Sequence, residues 1–75
     1  MGSEKHFFGP YEYKVTIRTI AGHEKMKHNS AILKIFKPGE TFIAVKKIDD
    51  WLLTDNSEYI WNPHDRLARR INIEN

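Results

Sequence analysis

Between Phe36 and Trp61 the apolar residues come in short runs, each set off by a turn. Lys37-Pro38-Gly39-Glu40 precedes Thr41-Phe42-Ile43-Ala44-Val45, Asp49-Asp50 precedes Trp51-Leu52-Leu53, and Asp55-Asn56-Ser57 precedes Glu58-Tyr59-Ile60-Trp61. None of these runs is long enough for a buried helix. Their β-branched and aromatic content, punctuated by Pro, Gly, Asp and Asn, describes a three-stranded antiparallel meander. Pro38 has the fixed φ of the second position of a tight turn, and Gly39 tolerates the positive φ that follows.

The same logic extends on both sides. Over residues 11–20, Tyr11, Tyr13, Val15 and Ile17 alternate with Glu12, Lys14, Thr16 and Arg18, a strand with one buried face. Residues 31–36 form a short strand, and residues 41–48, 51–54 and 58–61 complete a set of five. Within 41–48, Phe42 and Ala44 face one way and Ile43 and Val45 the other. Residues 1–10 are expected to be a flexible leader holding the pair Phe7-Phe8, and residues 72–75 a tail. After the last strand, Asn62-Pro63 reads as a helix N-cap followed by proline in the first turn. On the short helical turn this predicts, Leu67 and Ile71 share a face flanked by Arg66, Arg69 and Arg70.

Seventy-five residues allow one core and no more. With no cysteine, no disulfide staples so small a domain. No stretch approaches the roughly 20 apolar residues that span a bilayer, and the opening residues lack the apolar core of a signal peptide. The expectation is a cytoplasmic chain with no membrane partner, unless it is part of a longer or phage-released protein. Twelve basic residues against ten acidic ones, net +2, make no unbroken basic run.

Five short strands, a long first loop, a Pro-Gly turn and a closing helical turn follow the plan of a small five-stranded SH3-like barrel. The chain resembles the bacterial SH3 family over residues 15–67. Lys37-Pro38-Gly39-Glu40 is similar to the family's turn before an apolar strand. Asp50-Trp51-Leu52-Leu53 is similar to its strand opened by an aromatic residue, and Tyr59-Ile60 with residues 62–67 to its last strand and short 3₁₀ turn. Glu58 stands where the family usually has glycine. The resemblance implies an all-β fold and a non-catalytic module that binds a peptide-like ligand such as the cross-bridge or stem peptide of the bacterial cell wall.

The chemistry legible in the residues agrees with a module that carries no reaction. Ser3, Ser30 and Ser57 stand in leader or turn contexts without a nucleophile-elbow pattern, and Asp49, Asp50 and Asp55 are turn formers. His23 and His28 lie five apart, but His6 and His64 belong to unrelated segments and no spacing completes a tetrahedral metal site. No cofactor is implied. The polar segment from residue 21 to 30 reads as a long exposed loop suited to ligand contact. If Ile60 points inward, Tyr59 and Trp61 point outward. Together with Trp51 and the loop residues His23, Lys25 and His28 they would form an aromatic groove for an extended peptide, since flat rings give contact area at low entropic cost. The opposing expectation is that both tryptophans simply pack against Phe7-Phe8 and the C-terminal turn. Two other functions fit the composition: a small protein-interaction domain, such as a regulator or phage-encoded inhibitor of a host protein, and a nucleic-acid-binding barrel using Lys46, Lys47, Arg66, Arg69 and Arg70 with stacking on Trp61.

Overall fold

The computed structural model describes residues 6–71, with the backbone alone for 6–8. The fold is all-β, a single antiparallel sheet of seven strands. These are β1 (His6–Val15), β2 (Ile20–His23), β3 (Ile32–Phe36), β4 (Thr41–Ile48), β5 (Trp51–Thr54), β6 (Tyr59–Trp61) and β7 (Ala68–Arg70). Their spatial order is β3-β2-β6-β5-β4-β1-β7, so the meander expected from the turns is present as β4-β5-β6. Among the described residues β3 and β7 are edges, and the sheet does not close.

The sheet nevertheless curls. Phe36 on edge strand β3 and Phe42 on β4 lie four strands apart in the order, yet their ring centroids are 5.3 Å apart. Phe42 also stacks on Tyr13 of β1 at 5.6 Å. The concave face thus gathers Tyr13, Val15, Ile20, Phe36, Phe42, Ala44, Leu52, Ile60, Leu67 and Ala68 into one core. The alternation read from sequence holds where residues are paired: Phe42 and Ala44 are buried while Ile43 and Val45 are half-buried, and Ile60 is buried between half-buried Tyr59 and Trp61.

Four expectations are corrected, those for the leader, the end of the first strand, the long loop and the C-terminal turn. Residues 6–10, expected in the leader, form the first half of β1 and pair with β4 through His6↔Ile48, Phe7↔Lys47 and Phe8↔Lys46. The register then shifts at Gly9-Pro10, where a Cβ on Gly9 would collide with the Ala44 carbonyl and sit 3.1 Å from Val45 Cα. Only glycine lets the two backbones approach so closely there. Residues 1–5 and 72–75, the rest of the leader and the tail, lie outside the described residues.

The first strand does not continue to Ile20. It ends at Val15, whose N–H donates to the Glu40 carbonyl at 2.9 Å and whose own carbonyl accepts from Gly39 N–H at 2.9 Å. The β3–β4 turn, with Gly39 at φ +93°, thereby closes over the end of β1. Ile17 consequently lies exposed in a connection instead of sharing the buried face of Tyr13. Beyond it, Ile20, the end of the expected strand, and residues 21–23, the first part of the expected loop, form β2, which pairs with both β3 and β6.

At the C-terminus a single 3₁₀ turn, Pro63–Asp65, follows Asn62, with positive φ at His64 and Asp65. The Asn62 side chain makes no helix cap. Instead its Oδ1 accepts from Leu67 N–H (3.0 Å) and Ala68 N–H (2.9 Å), and its Nδ2 donates to Ala68 O (2.9 Å) and Asp65 Oδ1 (3.3 Å). A buried amide therefore supplies the partners a strand would, and Ala68–Arg70 extends as β7 beside β1 where a helical face had been expected. Ile71 N–H continues the ladder to Glu12 O at 2.8 Å.

Candidate functional site

β2, β5 and β6 place four rings on the convex face. Trp51 and Trp61 are direct cross-strand partners, as are Leu53 and Tyr59, and His23 pairs with Tyr59 from the other side. With a side-chain period of two, these residues share one face while Leu52 and Ile60 fill the core on the other.

The loop over residues 24–31 returns across this face and is held by its own hydrogen bonds. Glu24 N–H donates to Ala31 O (2.8 Å), and Ser30 N–H donates to Lys27 O (3.1 Å). The Ser30 hydroxyl lies 2.7 Å from Lys27 O and 3.2 Å from Lys25 O. His23 Nδ1 is 3.2 Å from Ser30 O. A carbonyl only accepts, so Nδ1 carries the proton, and in the neutral ring Nε2 is left as an acceptor.

This anchoring lays His28 on the two indoles, with ring centroids 5.0 Å from Trp51 and 4.9 Å from Trp61. His23 approaches Trp51 edge-on at 6.0 Å and His28 edge-on at 6.2 Å. Trp51 is thereby only 9% exposed, whereas Trp61 stays half-buried, one side against the core. The groove expected from sequence is consequently narrower than drawn, because the protein's own histidine covers Trp51.

What remains open is a cleft of about 220 Å³ between two loops, lined by Arg18, Thr19, Ile20, Ala21, His23, His28, Trp61 and Leu67. One wall is the β1–β2 connection. Its start is fixed by Thr16, whose N–H donates to Leu67 O (3.0 Å) and whose hydroxyl donates to Arg66 O (3.0 Å) or Leu67 O (3.1 Å). Of the six expected site residues, the cleft brings together His23, His28 and Trp61. Trp51 lies beneath His28, Tyr59 lies beside His23 without lining the cleft, and Lys25 stands exposed on the loop. Sequence reasoning missed Arg18, Thr19, Ile20, Ala21 and Leu67. The β-branched character of Thr16-Ile17-Arg18-Thr19 disguised a connection as strand, and nothing in Leu67 announces a place beside Trp61.

Lys46 and Lys47 are successive on β4, and Arg69 and Arg70, successive on β7, line a second cleft together with His64 and Asp65. The Arg70 guanidinium lies 4.3 Å from the Tyr11 ring centroid. Among the described residues no three His, Asp or Glu side chains come together in a way that could hold a metal ion, and no helix is long and apolar enough to cross a membrane. Comparison of the chain with protein-family models, curated proteins and solved structures gives no match.

Proposed function

We propose that the chain is an open variant of the SH3-like small barrel and acts as a non-catalytic binding module, taking an extended peptide into the cleft between its first two loops. The reading rests above all on one observation: Trp61 lines an open cleft whose two walls, the 16–19 connection and the 24–31 loop, are each tied down by hydrogen bonds. A preorganised aromatic wall between fixed loops binds extended chains at low ordering cost. Arg18 at the rim and the histidine nitrogens supply the few polar contacts that orient a peptide. The curl that brings Phe36 onto Phe42, together with the β4-β5-β6 meander, supports the small-barrel part of the reading.

The family resemblance makes bacterial cell-wall peptide the first ligand to try. Purified cell walls should co-sediment the protein, and soluble stem peptide should compete. Trp61→Ala should weaken binding by roughly thirtyfold or more, the range of a central aromatic anchor. Because Trp61 also packs on the core, His28→Ala provides a second variant from an exposed position, expected to alter affinity while leaving the fold intact. Absence of binding to walls and stem peptides would remove that ligand class. Binding that both variants retain in full would remove the cleft.

A further inference from the structure

The Trp61 cleft has a sign. Arg18 lines it together with two histidines, and none of its lining residues is a carboxylate. Arg18 is exposed, and among the described residues its guanidinium has no ion pair or hydrogen-bond partner. The Arg18 and Thr19 N–H groups likewise donate to no acceptor among the described residues. Resting on the cleft reading above, we infer that the cleft selects peptides carrying a carboxylate beside an apolar side chain, the carboxylate held by Arg18 and the side chain laid on Trp61.

The lining assigns each part of such a ligand its place. Ile20 and Leu67, both buried, form an apolar floor with the Trp61 ring, where an aliphatic side chain leaves water. A guanidinium meets a carboxylate with two parallel N–H···O bonds, charge-assisted and roughly twice as strong as neutral ones. His23 is unsuited to the anion, because its Nδ1 proton is committed to Ser30 O and Nε2 of the neutral ring only accepts. That nitrogen suits a ligand N–H instead, so the cleft has a direction, with the anion toward Arg18 and an amide toward His23. At about 220 Å³ the cleft is smaller than the roughly 300–1,000 Å³ of pockets that enclose drug-sized ligands. It reads a short stretch of the extended peptide, and a single carboxylate is then a large share of what it recognises.

Two other clefts show why the anion belongs here. One beside the β5–β6 turn, of about 300 Å³, sets Glu12, Asp55 and Glu58 against Lys34 and disfavours negative charge. The cleft at Arg69 and Arg70 is basic, but its lining is completed by His64 and Asp65, which bring in a carboxylate and no apolar wall. Of the three, the Trp61 cleft alone joins an unpaired guanidinium to an aromatic ring.

The test follows the whole protein by amide-resolved NMR during titration with three N-acetylated tetrapeptides. These are Gly-Gly-Ala-Leu with a free terminal carboxylate, the same peptide ending in an amide, and Gly-Gly-Glu-Leu ending in an amide. At least one carboxylate peptide should bind about tenfold tighter than the uncharged one, shifting the Trp61 indole N–H and the Arg18 and Thr19 amides, as one charge-assisted bidentate pair implies. Whichever of the two binds tighter identifies the carboxylate as a chain end or an acidic side chain. Arg18→Gln, at an exposed position, should abolish the preference and leave the affinity of the uncharged peptide unchanged, while Arg18→Lys should keep part of it. Equal affinity of all three peptides at Trp61, or a preference that survives Arg18→Gln, would overturn the inference and leave the cleft reading standing. Carboxylate peptides that shift Arg69 and Arg70 but not Trp61 would overturn it as well. If no peptide reaches Trp61, the cleft reading fails and this inference with it.

Discussion

Replacing Asn62 should test the C-terminal architecture most severely. Its side chain is 1% exposed and is the partner of three main-chain groups, Leu67 N–H, Ala68 N–H and Ala68 C=O. Alanine leaves all three without their partner, at roughly 1–3 kcal/mol for each buried group left unsatisfied. Partial relaxation and entering water lower the sum, and about 3 kcal/mol is the expected loss. A chain of this length has a total stability on the order of 4–11 kcal/mol, so the change is a large share of it. The melting temperature should fall by roughly 12–24 °C, at about 4–8 °C per kcal/mol for a domain this size. Urea unfolding followed by far-ultraviolet circular dichroism measures it, with the slope m unchanged if only the native state is affected. Asn62→Leu separates lost hydrogen bonding from lost side-chain atoms, because leucine keeps the heavy-atom count and branching of asparagine but satisfies none of the three groups. Both variants should lose comparable stability. A leucine variant within about 1 kcal/mol of wild type would refute the reasoning, given the cost of buried unpaired groups.

Three further outcomes are expected. Gly9→Ala forces a Cβ into the Ala44 carbonyl and against Val45 Cα, and should cost about 2–3 kcal/mol in urea unfolding, as overpacking does. Thr54→Val removes a hydroxyl that donates to Glu58 Oε1 at 2.7 Å and accepts from Asn56 N–H and Glu58 N–H at 3.2 Å each. With Glu58 buried, thermal denaturation should show a loss of about 1–2 kcal/mol, and an unchanged melting temperature would count against that network. His28→Ala uncovers Trp51 and should alter the near-ultraviolet circular dichroism of the indoles while costing only about 1 kcal/mol, the scale of an exposed aromatic pair. An unchanged near-ultraviolet spectrum would place His28 off the indoles in solution.

The meander was legible because Pro38-Gly39, Asp49-Asp50 and Asp55-Asn56-Ser57 punctuate short apolar runs rich in β-branched and aromatic residues. Asn62 was misread because asparagine before proline is both a helix cap and a turn former. Only the tertiary structure shows that its amide feeds a strand. The spacing of Leu67 and Ile71 suits a helix, yet three residues beside β1 gain more from the ladder than from one turn of helix. β2 was hidden because Gly22 and His23 carry little strand signal, and their burial comes from pairing with β3 and β6 at once. The exposure of Ile32, Leu33 and Ile35 was invisible for the opposite reason. An apolar run in sequence does not say whether its strand is central or at an edge. For the site, aromatic parity on β6 located Trp61, and the polar loop located His28. That the loop would fold back and cover Trp51 depends on the Ser30 and His23 hydrogen bonds, which no local pattern announces.

The side-chain indole N–H resonance of Trp61, followed during titration with cell-wall stem peptide, examines the cleft most directly. The expected result is a saturable shift of the Trp61 resonance, accompanied by His28, with the buried Trp51 indole moving less. A peptide that saturates the protein while Trp61 and His28 stay unmoved would contradict a binding site between the first two loops.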